Sequence, residues 1–194
     1  MHKLLNYKGE FYRKLIHISS SIIPLSILYF SKEYILPYII LISILLPTLD
    51  YLRRDNNFIK KYYNILFNIV TRPSETRKLT GGSWVFISSA LTLILFPENI
   101  AIVSLLVMSL SDSAAALVGI KYGKTNLFNK TLEGSMAFFI TTLIIIHLLI
   151  EIPIYLTIIC SLIITFVELL SFKKINDNLS IPLVTALMLY IFIR

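Results

Sequence analysis

Seven apolar runs, at residues 15–30, 35–49, 84–96, 100–120, 136–150, 152–172 and 181–193, constrain this chain more than any other feature. Most approach the ~20 residues that a helix needs to cross the hydrocarbon of a bilayer. The third and seventh are shorter and need flanking residues or a locally thinner membrane. With 56% hydrophobic residues and a mean hydropathy of +0.78, a soluble core wrapped in polar surface is excluded. The expected fold is all-α, a polytopic membrane bundle of about seven transmembrane helices forming one integral-membrane domain over residues 1–194.

Orientation follows from the basic residues, which stay on the cytoplasmic side during insertion. Sixteen of the 18 lysines and arginines fall on one side of a seven-span arrangement, in the N-terminal segment and in the loops at 53–78, 121–130 and 173–174; only Lys32 and Arg194 fall on the other. That split predicts a cytoplasmic N-terminus and a multi-pass protein of the cell or endomembrane membrane. It also accounts for the net charge of +7 without nucleic acid, leaving membrane lipids or a nucleotide as the expected partners. No small-residue cleavage site follows Phe30, so the first run is read as a span and not a signal peptide. The single cysteine, Cys160, excludes an internal disulfide and reads as packing.

The connections around 31–34, 97–99 and 151–153 are very short, whereas those on the basic side are longer and richer in chemistry. Within residues 53–80, Phe58, Tyr62, Ile65, Leu66 and Ile69 recur at helical spacing, with Lys60, Lys61 and three asparagines on the other side. Two accounts stand for this segment, an interfacial helix on the inner leaflet or a helix packed against the base of the bundle. Beyond it, residues 72–82 are polar and end in the pair Gly81-Gly82.

Acids inside spans cost a few kcal/mol or more and are functional candidates by default. Asp50 lies beside Arg53 and Arg54, which predicts a surface ion pair. Asp112 sits roughly 12 Å inside its helix at 1.5 Å per residue, and Ser109, Ala115, Ala116 and Gly119 leave space around it. The stretch from Gly119 to Thr125 is superficially like a phosphate-binding loop, but the spacing is wrong and no strand precedes it. Its glycines, with Lys121, Lys124, Lys130, Thr125 and Thr131, can still converge on polyphosphate oxygens. Glu133 opens the next span as either a helix cap or a metal ligand. Glu10, Arg13, Lys14 and His17 share one helical face. His147, alone in its span, is read as a hydrogen-bonded packing residue. Glu168 is another intramembrane acid. Asp177 or Asn178 is either an N-cap, with Pro182 in the first turn, or part of an acidic inner site able to hold Mg²⁺.

The chain resembles the CTP-dependent polyprenol kinases, which include dolichol kinase and phytol kinase and are distantly related to phosphatidate cytidylyltransferases. The resemblance rests on Glu10-x-x-Arg13-Lys14-x-x-His17, Thr80-Gly-Gly, Ser111-Asp112-x-x-Ala115-x-x-x-Gly119-x-x-x-Gly123-Lys124, Lys130-Thr131-x-Glu133-Gly134-Ser135, and Glu168 with Asp177-Asn178 and Pro182. These motifs run in family order along nearly the whole chain. Ser111 stands where some relatives have glycine, and the chain is close in size to the phytol kinase core.

The resemblance implies Mg²⁺-assisted phosphoryl transfer from CTP to a long-chain isoprenoid alcohol at the cytoplasmic face. By position, Asp112, Lys124, Glu133 and Asp177 are the expected catalytic residues. Arg13, Lys14, His17, Gly119, Gly123, Lys124, Lys130, Thr131, Gly134, Ser135 and Asn178 are expected to bind CTP. Asp112, Glu133, Asp177 and Glu168 are the expected metal ligands, with the division between base and ligand left open. A homodimer is compatible with this reading. The rivals are cytidylyl transfer to a lipid phosphate and a small transporter, for which no internal repeat is seen.

Overall fold

The computed structural model describes residues 7–128, 130–170 and 176–193. Lys3, Lys173, Lys174 and Arg194, counted above among the cations, lie outside the described residues.

Each apolar run coincides with helix. The first is divided between α1 (Tyr7–Ser19) and α2 (Ile22–Ile27), and α3 (Lys32–Asp55) carries the second. The segment after it forms α4 (Asn57–Phe67) and a 3-10 turn at Pro73–Glu75, leading to α5 (Gly81–Leu95). The fourth run is one rod from Glu98 to Tyr122, in which a π turn (Val107–Ser111) joins α6 (Glu98–Leu106) to α7 (Asp112–Tyr122). Then come α8 (Leu132–Leu149), α9 (Ile154–Leu170) and α10 (Asp177–Ile193). The fold is therefore all-α, save for a hairpin of two-residue strands, β1 (Asn126–Leu127) and β2 (Lys130–Thr131).

Among the described residues, three helical stretches are long and apolar enough to cross a membrane, Lys32–Asp55, Glu98–Tyr122 and Leu132–Leu149, while α5, α9 and α10 are apolar but shorter. The first run departs from a single continuous helix. Ser20 Oγ donates to His17 O at 2.6 Å, and Ser20 and Ser21 stand where the helix breaks. Serine hydroxyls that bond backbone carbonyls compete with the helical ladder, which explains the break.

The rod is the axis of the bundle. Every residue from Ile100 to Ser109 is buried, and α2, α5, α8 and α10 pack around α6, with α1 and α8 on the π turn and α7. Several buried hydroxyls are satisfied within their own turns: on the rod Ser104 donates to Ile100 O and Ser113 to Ser109 O, and on α10 Thr185 donates to Ile181 O. By contrast α4 buries none of its residues, and Phe58, Ile65 and Leu66 are each about 70% exposed (68%, 69% and 73%). This excludes packing of its apolar face against the base of the bundle. Asn56 caps α4 by accepting from the Phe58 and Ile59 amides.

Candidate functional site

Polar side chains from α1, α3, the 72–82 segment, α7, β2, α8, α9 and α10 gather at one end of this bundle. The centre is Asp112, the first residue of α7. Lys14 Nζ forms an ion pair with Asp112 Oδ2 and also donates to Asp112 O at 3.2 Å. His17 Nε2 lies 3.2 Å from the same Oδ2 and 3.1 Å from Met108 O. Both neighbours of Nε2 are acceptors, so this nitrogen carries the hydrogen and His17 acts there as a donor. The π turn makes the arrangement possible, because it disturbs the regular carbonyl ladder and lets Met108 accept from α1; such turns recur at functional sites.

One turn earlier on α1, Glu10 receives two arginines. Arg13 Nε lies 3.1 Å from Oε2, and Arg72 reaches both oxygens, Nε to Oε1 at 2.8 Å and Nη2 to Oε2 at 3.2 Å. This forked pair holds the polar segment onto α1. Burial raises the Glu10 pKa, but the hydrogen bond from Arg72 and the positive charge of Arg13 outweigh it and leave the carboxyl below its ordinary value. Of the face predicted from spacing, Glu10, Lys14 and His17 are held from other elements, while Arg13 pairs with Glu10 on its own helix.

Asp50 corrects its sequence reading. It is buried, and Oδ2 accepts from Thr80 N (2.7 Å), Thr80 Oγ1 (2.9 Å) and Ser83 Oγ (2.6 Å). Arg53 Nε is 3.0 Å from Oδ1, although its hydrogen is not aimed along that line, and Arg53 Nη2 donates to Glu75 O and Lys78 O. The surface ion pair is in fact an internal clasp, since the 72–82 segment folds back over α3 and shuts out solvent. Arg53 also lies over the Tyr63 ring at 4.2 Å, which ties α4 to the same clasp.

A third cluster surrounds Lys130 on β2. Its Nζ is 2.6 Å from Glu168 Oε1 and 3.0 Å from Asp177 Oδ2, and Ser135 Oγ donates to Glu168 Oε2 at 3.4 Å. Burial depresses the Lys130 pKa, but the charges of Asp177 and Glu168 outweigh it and hold the ammonium above its ordinary value. The clusters meet at Gly81, whose carbonyl accepts from Asn178 Nδ2 at 3.1 Å. A Cβ on Gly81 would lie 3.6 Å from Arg13 Nη1 and 3.9 Å from Glu75 Oε1.

The expected set of four metal-binding acids is divided. Asp112 is held by Lys14 and His17, Glu168 and Asp177 by Lys130, and Glu133 accepts from the Thr125 amide at 3.2 Å. The four acids sit with three separate sets of donors, Lys130 serving two of them, which keeps the four from converging. Among the described residues no three of His, Cys, Asp and Glu come together as a metal site. Mg²⁺, however, is commonly bound through one or two carboxylates with substrate phosphates completing the shell, and the pair Glu168 and Asp177 fits that donor set.

Gly119, Gly123 and Gly134 have a packing role. A Cβ on Gly119 would come within 2.8 Å of Thr131 Oγ1, and one on Gly134 within 2.8 Å of Ala115 O, so α7 and the start of α8 meet through bare backbone. Thr131 itself caps α8, accepting from Gly134 N at 3.2 Å. Lys124 stays exposed on the connection to the hairpin. The cap of α10 is Asn176, which accepts from Asn178 N at 3.0 Å, and Pro182 lies inside the helix, not in its first turn. His147 is exposed near the end of α8 instead of being packed. Arg72, Glu75, Ser83 and Asn176 were not singled out from the sequence. Only their position in a polar stretch ahead of a helix could have signalled them.

No protein-family model and no solved structure matches the chain. An uncharacterized protein of Rickettsia prowazekii is 37% identical over 98% of both chains, and one of Methanocaldococcus jannaschii is 35% identical over 91% of both. CTP-dependent diacylglycerol kinase 1 of Schizosaccharomyces pombe is 29% identical over 95% of this chain and 94% of its own. The chain belongs to one family with the Rickettsia and Methanocaldococcus proteins, and is similar along nearly its whole length to a CTP-dependent diacylglycerol kinase.

Proposed function

We propose that this protein transfers the γ-phosphate of CTP to the hydroxyl of a membrane lipid alcohol, at the charged end of its helix bundle. The observation that carries the reading is the convergence of Lys14, His17 and Asp112 with Lys130, Glu168 and Asp177 at one end of an apolar bundle. Similarity to a CTP-dependent diacylglycerol kinase supplies the nucleotide and puts diacylglycerol first among substrates. An isoprenoid alcohol of the dolichol, polyprenol, geranylgeraniol or phytol type is the second candidate.

Phosphoryl transfer asks a protein chiefly for positioning and charge neutralisation. Asp112, oriented through Oδ2 by Lys14 and His17, takes the hydroxyl proton as the lipid oxygen bonds to the γ-phosphorus and CDP departs. Arg13, Arg72 and Lys130 offset the triphosphate charge. Glu168 and Asp177 would hold Mg²⁺, which supplies further neutralisation of the phosphate oxygens. In this reading the seven apolar segments span the membrane with the N-terminus and the charged end in the cytoplasm, and α4 lies on the inner leaflet with its apolar face in lipid.

Purified protein in lipid nanodiscs, given γ-labelled CTP with diacylglycerol or a polyprenol, should put the label on the lipid. Label released solely as pyrophosphate would mean cytidylyl transfer instead, and ion flux lost in Asp112→Asn with no lipid ever labelled would mean transport.

A further inference from the structure

An apolar groove of about 500 Å³ runs between α8 and α9, a volume within the usual range of small-molecule sites. The helices are antiparallel neighbours joined through the short 150–153 connection. Ser135, Met136 and Phe139 on α8 face Leu162, Thr165 and Phe166 on α9, each set at the spacing of one helical face. The α8 wall, from Leu132 to Ile140, extends roughly 12 Å at 1.5 Å per residue. Met136, Leu162 and Phe166 are more than half exposed (55%, 54% and 59%), so the groove opens sideways, toward the position of lipid in a membrane.

Its two polar residues are not equivalent. Thr165 Oγ1 donates to Ser161 O at 2.7 Å within its own helix and offers the groove little beyond its methyl group. Ser135 is buried, lines the groove, and donates to Glu168 Oε2, whose carboxylate is paired with Lys130. One residue therefore belongs to both the apolar groove and the charged cluster, and the groove ends where the chemistry is placed.

We infer that this groove holds a hydrocarbon chain of the lipid alcohol, with Ser135 at the end where the chain gives way to the hydroxyl-bearing headgroup. The inference rests on the kinase reading for the identity of its occupant, while the groove and its link to Lys130 stand without it. Continuity decides the occupant: a chain lying along α8 and α9 from the open side brings its polar end to Ser135 and Glu168 without crossing the bundle.

A diacylglycerol with a diazirine in one acyl chain, photolysed with the protein in phosphatidylcholine nanodiscs, tests this directly. Label is expected on Met136, Phe139, Leu162 and Phe166, falling about tenfold with a roughly tenfold excess of unlabelled diacylglycerol by mass action, but not with added phosphatidylcholine. Label spread evenly over the outward faces of α3, α5 and α8, or displaced equally by phosphatidylcholine, would show bulk phospholipid in the groove and overturn the proposal. In turnover, Met136→Trp should raise KM for a long-chain diacylglycerol by about tenfold with kcat kept and a four-carbon-chain analogue unaffected. Leu148→Trp, exposed on the same helix beyond the groove, should change neither, and Leu162→Trp replaces Met136→Trp if that variant does not fold. Equal losses on long and short chains would overturn the proposal. Should the wild type phosphorylate no alcohol while the label is still displaced by diacylglycerol, the kinase reading fails and the groove stands as a lipid site.

Discussion

Asp50, near the end of α3, and Asp112, beside the π turn within the central rod, are both acids of apolar helices with partners from distant parts of the chain, yet the two regions are built differently. Asp50 accepts from groups that belong to structure, an amide and two hydroxyls, and its charge is balanced by the arginine three residues on. Asp112 is surrounded by a lysine and a histidine from another helix, beside a π turn. A carboxylate whose donors are backbone and hydroxyl groups fixes a loop. One oriented by ionisable side chains from another helix can take part in charge movement. Burial alone does not separate these roles, because the side chain of Asp50 is only 2% exposed and that of Asp112 only 13%. The identity of the donors does.

The largest expected effect tests that distinction at Asp112. Asp112→Asn keeps the shape and removes the charge, and should lower kcat by ~10²–10⁴, the usual contribution of a general base, while the protein still purifies as a folded species in detergent. Unchanged turnover would move the chemistry elsewhere. Next, Lys130→Met removes the ammonium that lies between Glu168 and Asp177, and a loss of about 10²–10³ in kcat/KM for CTP is expected, the magnitude of removing one electrostatic stabiliser. A steady-state titration of CTP at fixed lipid reads it. On the other side of the comparison, Asp50→Ala should destabilise by about 3 kcal/mol, since a buried clasp loses its charged member, and activity per folded molecule should fall by far less than in Asp112→Asn. Equal losses of activity would erase the contrast. Lys124→Ala, at an exposed position, should change kcat/KM no more than a few-fold. The smallest effect concerns pH. The Glu10 carboxyl is held below its ordinary value of 4.5, so its clasp with Arg72 and Arg13 contributes fully above that pH and is lost as pH falls through the lowered value. Thermal unfolding from pH 6 to pH 3 should show this step, and Glu10→Gln should remove it.

Much of the bundle was legible in the sequence. Apolar runs mark every major helix, because hydropathy and helical period are local properties that survive any packing. The face formed by Glu10, Arg13, Lys14 and His17 was legible for the same reason: spacing on a helix needs no tertiary knowledge. The amphipathic α4 was legible as a helix, but whether its apolar face meets the bundle or lies free depended on where α3 ends and how the 72–82 segment returns. The hairpin at 126–131 was missed, since two-residue strands carry no alternation to detect. The glycines after Asp112 drew attention as a phosphate cradle. Their necessity proves to be steric, and a contact between α7 and α8 cannot be read from either helix alone.

The amino-acid order by itself determined that this chain is helical, that its helices are apolar enough to suit lipid, and that its cations concentrate in the N-terminal segment and in alternate connections. It also carried the motifs that resemble the CTP-dependent lipid kinases. Only the tertiary structure decided which acid meets which cation. Lys14 and Asp112 are separated by 98 residues, Arg72 and Glu10 by 62, and Lys130 and Asp177 by 47. Pairings at that distance depend on how helices pack, on a π turn in the central rod and on a segment that folds back across α3. Electrostatic interaction acts through space over a few ångströms, whereas sequence patterns record only neighbours along the chain, so the same charges could be counted from the sequence but not matched.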